Sequence, residues 1–309
     1  MSPRPRAPGD ADPTSLLLSR LFDLRPEQYL RRIPGRETFA WDARALFPSE
    51  RGSHPAVVKR TSGAAGLEGW RELLRGRRPR SPGRREHDNL EDLPADGVPV
   101  PTALAFAQDA RASSLLPCRS GRSLALPGHS LVVMDAVFEP RSLRDLLAES
   151  DEQERASLGR RLLALVVRLH SRGWYHRDLY LQHVLVEGAR GGLVLIDVGR
   201  ARRERAPRRR WFVKDLAALE ASCPACVKPR ERLRFLARWL DALGIDEHGR
   251  RRRFAAAVLR KARRIRAHRP RYTDPRSDPA GDPAGDPAGD PAGLQPAAPG
   301  PTPESARRS

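Results

Sequence analysis

The sequence predicts an α+β fold of two lobes, a β-rich first half followed by an α-rich second half. Three observations carry this. Strand-like apolar segments recur up to Val137, after which long stretches adopt helical spacing. One hairpin pattern interrupts the helical half, with strands at His183–Val186 and Leu193–Asp197 around a glycine-bearing turn. Both ends are rich in Pro and charge and read as disordered, and DPAG repeats four times from Asp278 to Gly293. The expected boundaries are a disordered segment 1–14, a β lobe 15–137, an α lobe 138–272 and a disordered tail 273–309.

Taken in order, the stretch from Leu16 to Tyr29 holds a short helix. Arg36–Trp41 is a strand, His54-Pro55 breaks the chain, and Ala56–Arg60 is the next strand. Lys59 follows an apolar β-branched pair, so it leaves a buried strand and points into a cleft. Another short helix is read around Trp70–Leu74. Arg84–Leu93 reads as a helix in which Glu86, Leu90 and Leu93 share one face. A carboxylate on a core-directed face needs a cation, and Lys59 is the candidate. Gly97–Pro101 is a rigid connector, and further strands end in Ser130–Val137. Phe138–Arg141 reads as a hinge, and Ser142 caps a helix. A strong helix follows over about 154–172, with Leu158, Leu162, Leu165, Val166 and Leu169 as its buried stripe and Gly173 as its stop. Helical spacing returns at Trp211–Leu219. It continues over about 230–243, with Leu233, Leu236, Leu240 and Leu243 on one face, and over about 251–268, with Phe254, Val258, Ala262 and Ile265 on one face.

The formal charge is +19, and only four of the 57 basic residues are lysines: Lys59, Lys214, Lys228 and Lys261. A GC-rich genome produces this bias without selection for guanidinium chemistry. Read functionally, the charge points to an anionic partner, whether phosphorylated lipid, membrane surface or nucleic acid. No RNP-type aromatic pattern or helix-turn-helix signature accompanies it, so no specific nucleic-acid partner is expected. Three cysteines make no disulfide framework, and Cys223-Pro224-Ala225-Cys226 lacks a second metal-binding pair. No apolar run approaches the ~20 residues that span a bilayer. The first residues hold no apolar core of a secretory signal. The expected place is the cytoplasm, with peripheral contact at the cytoplasmic face of the inner membrane.

Centred near residue 190, the hairpin sets His183 opposite Asp197, with Asp178 in the loop before it. Two carboxylates and an imidazole then converge, which suits a divalent cation and a proton acceptor. Lys59, Glu86, His176-Arg177-Asp178 and Asp197-Val198-Gly199 follow one another in the order and spacing of the protein-kinase-like fold, which the chain resembles. The runs HRDLYLQHVLV, LIDVGRARR and RRRWFVKDLAAL resemble the bacterial lipopolysaccharide kinase family, whose members phosphorylate inner-core heptose or Kdo. The likeness covers about residues 30–225. His183 stands where most protein kinases have Asn, and Tyr180 stands where protein-serine kinases usually carry Lys.

The resemblance implies ATP and Mg2+ as cofactors and an anionic glycolipid as acceptor. It implies Asp178 as the group that orients or deprotonates the acceptor hydroxyl, and Asp197 as a magnesium ligand. His183 takes the second metal-ligand or loop-organising place, and Lys59 holds phosphates and pairs with Glu86. His176, Arg177 and Asp215 support the loop. Arg200, Arg208, Arg209 and Arg210 lie where acceptor or anionic headgroups are held. No GxGxxG precedes Lys59; only Gly35 is near. A kinase for protein or small-molecule acceptors and an inactive kinase-like scaffold are the alternatives.

Overall fold

The computed structural model describes residues 13–26, 29–45, 55–62, 74, 76, 79–108, 114–117, 123–126, 128–188, 191–206 and 208–268. The short helix read around Trp70 and the DPAG tail lie outside the described residues. The chain divides into two units, 1–272 and 273–309, and everything described belongs to the first.

The first lobe comprises α1 (Pro13–Asp23), β1 (Tyr29–Ile33), β2 (Arg36–Asp42), β3 (Pro55–Thr61), α2 (Pro82–Ala95), β4 (Ala103–Gln108), β5 (Ser114–Pro117), β6 (Ser123–Leu126) and β7 (Ser130–Asp135). Five of the strands form an antiparallel sheet in the order β1-β2-β3-β7-β4. Strand parity then sorts the side chains. Ala56 and Val58 on β3, with Leu131 and Val133 on β7, join Leu18, Leu21 and Phe39 in one core. Val132 and Met134 face the opposite way and join the larger core. Lys59 shares the parity of Val57, so it projects on that second side, where α2 lies. Arg60 goes to the first side, where its guanidinium donates to the carbonyls of Leu21, Phe22 and Leu24 and closes the C-terminal end of α1.

Helix α2 starts from Ser81, whose Oγ accepts from the Arg84 amide at 3.1 Å. Gly83 lets this end sit against β7: its amide donates to Ser130 Oγ, and a Cβ there would come within 2.9 Å of the same oxygen. That close approach holds Glu86 against the cleft.

The second lobe comprises β8 (Pro140–Ser142), α3 (Leu143–Glu149), α4 (Glu152–Ser171), β9 (Trp174–Tyr175), β10 (Val184–Glu187), β11 (Gly192–Leu195), β12 (Arg202–Arg203), α5 (Arg209–Ser222), α6 (Pro229–Ala242) and α7 (His248–Arg266). The α4 stripe Leu158, Leu162, Leu165, Val166 and Leu169 is buried. Phe254, Val258 and Ala262 on α7 are buried with it. On α6 the expected stripe turns: Trp239 and Leu240 are buried, whereas Leu233 is 56% exposed and borders an apolar groove. The stretch read as a hinge runs into β8, which pairs with β10.

Candidate active site

The hairpin pairs Val184 with Leu195 and Glu187 with Gly192, so its centre lies half a residue before 190. His183 therefore stands opposite Ile196, whose amide donates to the His183 carbonyl at 2.9 Å, and not opposite Asp197 as a turn centred at 190 requires. The side chains still meet. Asp197 adopts a left-handed backbone, φ 58° and ψ 45°, which turns its carboxylate toward His183, with Nε2 to Oδ2 at 3.9 Å. Among the described residues only Glu139, Arg177 and Asp197 are non-glycine residues with positive φ. Two of the three belong to this site, where such strain is held by the surrounding contacts.

Lys59 Nζ lies 2.5 Å from Glu86 Oε1 and 3.4 Å from Asp197 Oδ1. Burial works against charge on Lys59, but the two carboxylates outweigh it and raise its affinity for the proton. Burial likewise opposes charge on Asp197, yet the Lys59 ammonium beside it holds its carboxyl well below the usual 3.8. A carboxyl depressed in this way stabilises the fold above its ordinary range and loses that contribution only as pH falls below it. Burial raises the Glu86 pKa against the opposing pull of Lys59, and Arg36, at the start of β2, adds a smaller pull toward the charged form. This arginine follows the two-residue turn Pro34-Gly35, where Gly35 takes φ 75°.

The catalytic-loop residues are fixed from behind. Asp215 on α5 has no exposed surface, and its carboxylate accepts from the amides of His176 and Arg177, both at 2.6 Å. Trp239 Nε1 donates to His170 Nδ1 at 3.1 Å. Indole is a donor only, so this fixes the tautomer in which His170 Nε2 carries the proton toward Asp215 at 3.3 Å. Burial lowers the His176 pKa and keeps the ring neutral, and its Nε2 lies 3.1 Å from the Ile196 carbonyl, to which it donates. His183 Nδ1 donates to the Asp178 carbonyl at 2.8 Å, which leaves the Nε2 lone pair facing Asp197. Those two atoms are a fitting pair for a divalent cation that takes its other ligands from water and phosphate. Among the described residues there is no group of three or more His, Cys, Asp or Glu suited to hold a metal by itself.

Asp178 is 18% exposed, and its carboxylate is met by Arg200 at 2.8 Å and Lys214 at 3.4 Å. Beside it opens a cavity of about 950 Å3. Seven cationic side chains line it: Arg177, Arg200, Arg202, Arg209, Arg210, Lys214 and Lys261, with no carboxylate among the described residues of its wall. Tyr175 and Trp211 stack at 5.1 Å on one side, and Arg210 and Arg177 lie over the Trp211 ring. The pairing of β12 with β9 puts Arg202 beside Tyr175. Arg208, grouped with these by sequence, is exposed just before α5 and outside the cavity wall.

These elements are also those of known proteins. Residues 68–238 match the family described as the lipopolysaccharide kinase (Kdo/WaaP) family. The chain belongs to the lipopolysaccharide kinase family. Over 228 residues this kinase is 30% identical to the lipopolysaccharide core heptose(I) kinase WaaP of Pseudomonas aeruginosa, covering 67% of its own length and 78% of the relative. Its fold is similar to that of WaaP solved in complex with acyl carrier protein, at TM-score 0.52 and 23% identity, over 82% of this kinase and 97% of that chain.

Sequence reasoning missed two parts of the site, Asn89 and Lys214. Asn89 on α2 donates to the carbonyls of Val198 at 2.7 Å and Ala201 at 3.1 Å, tying the helix that carries Glu86 to the segment after Asp197. Gly199 permits that approach, since a Cβ there would sit 3.3 Å from Glu86 Oε2. Asn89 lies three residues after Glu86, one helical turn along, and that spacing is the signal that could have found it. The second part is Lys214, which meets Asp178 from α5. The two cysteines of the CxxC pair are free. Burial pushes the Cys223 thiol up to about 11, so it is no thiolate at neutral pH.

Proposed function

We propose that this kinase transfers the γ-phosphoryl group of ATP to a sugar hydroxyl of the lipopolysaccharide inner core, on heptose or Kdo. The observation that carries the reading is the position of Asp178. On one side of its loop stand Lys59, His183 and Asp197; on the other the cationic cavity opens. Such a cavity suits an acceptor that already bears anionic groups, through arginine–phosphate or arginine–carboxylate contacts.

In this reading Asp178 orients the acceptor hydroxyl and receives its proton. Lys59, paired with Glu86, holds phosphate oxygens of the nucleotide. Asp197 and His183 hold Mg2+, which when bound neutralises charge on the ATP phosphates. His176, Arg177 and Asp215 keep the loop in place. Arg200, Arg209 and Arg210 contact the acceptor. The place of work is the cytoplasmic face of the inner membrane, approached peripherally; no described helix is long and apolar enough to cross a membrane.

The name of the solved relative adds a partner to the proposal. A groove of about 520 Å3 runs between α4, α5, α6 and α7, lined by Leu163, Leu216, Leu236 and Leu259 and edged by both arginines (Arg155, Arg232, Arg234) and glutamates (Glu152, Glu220, Glu231). The apolar floor of this groove suits the acyl chain of an acyl carrier protein.

The test is phosphate transfer from labelled ATP to inner-core lipopolysaccharide that lacks phosphate only on its core sugars and keeps its other anionic groups, with the product mapped by mass spectrometry. Phosphate on a core heptose or Kdo is the expected result. Transfer to protein or to a small molecule in place of the glycolipid would overturn the proposal.

A further inference from the structure

Position 180, two residues after Asp178, holds tyrosine where protein-serine kinases usually carry lysine. The Tyr180 ring stands edge-on to His183 at 5.7 Å, so the loop itself supplies no ammonium there. A different element does. Lys214 Nζ reaches Asp178 Oδ1 at 3.4 Å from the first turns of α5. The next residue on that helix is Asp215, bonded to the amides of His176 and Arg177 at 2.6 Å. The backbone that carries Lys214 is therefore clamped to the loop that carries Asp178.

The choice of side chain points the same way. Arginine is this chain's default cation, 53 residues against four lysines. Two of those four, Lys59 and Lys214, meet the carboxylates of the site, and Lys261 borders the cavity. An ammonium is a compact charge with three donors around one atom, so it can hold Asp178 with one and offer the others to phosphoryl oxygens. Arg200 also meets Asp178, but its side chain is 48% exposed against 24% for Lys214. The more buried cation acts in the lower dielectric, where it is worth more to developing charge.

We propose that Lys214 is a catalytic residue that contacts the transferring phosphoryl group. The inference rests on the reading of Asp178 as the group that faces the acceptor hydroxyl. In the step, a bond forms from the acceptor oxygen to the γ-phosphorus while the bond from that phosphorus to the bridging oxygen breaks. The hydroxyl proton passes to Asp178, and ADP departs with the bridging oxygen and its electron pair. Lys214 transfers no proton; it balances charge on the phosphoryl oxygens.

The experiment compares Lys214→Met, Lys214→Gln and Lys214→Arg in the full chain. It measures kcat and both KM values with glycolipid, MgATP hydrolysis without acceptor, MgATP affinity and Tm. The Met and Gln variants should lose ~10²–10³ in kcat, as for loss of one preorganised donor, with both KM values within about 3-fold and MgATP affinity kept. Arg should restore part of the rate. In an Asp178→Asn background, Lys214→Met should lower turnover by at least ~10-fold again, because its target is the phosphoryl group. No further loss there would show that Lys214 acts only through Asp178 and would overturn the proposal. An unchanged kcat, or a loss confined to acceptor KM, would also overturn it, as would failure of both the Met and Gln variants to fold. Acceptor-free hydrolysis separates this result from the substrate reading. If the wild type does not phosphorylate glycolipid, the hydrolysis rates of the variants still decide the role of Lys214.

Discussion

The two sides of the loop 174–183 carry carboxylates in opposite circumstances. Behind it, Asp215 is sealed from solvent and accepts only from partners that cannot leave: two backbone amides and an imidazole held by Trp239. In front of it, Asp178 is partly open and meets two long side chains, Arg200 and Lys214, beside a cavity lined with further cations. Rigid neutral donors make the rear carboxylate a fastener. In the proposed reading, charged partners on flexible stems leave the front one able to exchange contacts as substrate enters. A buried charge with fixed donors serves structure, and a half-buried one with exchangeable donors serves chemistry.

The sharpest way to break this contrast is at the front. Asp178→Asn should lower kcat by ~10²–10⁴ while Tm stays within a few degrees of wild type, read by steady-state kinetics and calorimetry. A large fall in Tm would move Asp178 to the structural side. At the rear, Asp215→Ala should cost about 3–5 kcal/mol of stability, because it orphans buried donors, and denaturant unfolding would measure it. Activity lost with the midpoint unchanged would reverse that assignment.

Smaller effects sharpen the picture. Arg209→Ala with Arg210→Ala should raise acceptor KM by ~10-fold at low salt, and by less at high salt, with kcat kept, since exposed charges are screened. A kcat effect equal to the KM effect would place these arginines at the reacting atoms. Trp239→Phe removes one donor to His170 and should cost about 1 kcal/mol of stability with little change in kcat. A kcat loss of more than 10-fold would mean that the rear network tunes Asp178 as well as holding its loop.

The roof of the cleft differs from its floor. The floor is fastened by Asp215, by His176 on the Ile196 carbonyl and by Asn89 on the segment after Asp197. In the first lobe the chain makes a tight β1–β2 turn at Pro34-Gly35 followed by Arg36, and its sequence has no GxGxxG before Lys59.

Much of this was legible in the residues themselves. The order Lys59, Glu86, Asp178, Asp197 could be read because each sits in a short local pattern: a strand end, a helix face, a loop and a hairpin end. The α4 and α7 stripes could be read because burial there follows helical period. What failed were features that period and spacing do not encode. The hairpin centre lay half a residue from the expected point, and that moved the partner of His183 from Asp197 to Ile196. Leu233 keeps the period of its helix yet stays exposed, because the neighbouring elements leave a groove beside it. Arg208 belongs to the arginine run but not to the cavity, since α5 begins next to it and directs Arg209 and Arg210 instead.

By itself, then, the sequence determined the succession of strands and helices, the kinase-like set of carboxylates and the lysine opposite them. Local patterns are enough for these, since backbone propensity and apolar period act over a few residues. Only the tertiary structure decided that Lys214 meets Asp178, that Asn89 holds the segment after Asp197, and that Trp239 and His170 stand behind Asp215. Each of those contacts joins residues far apart in the chain. Their geometry depends on how α2, α4, α5 and α6 pack around one core, which no local spacing records.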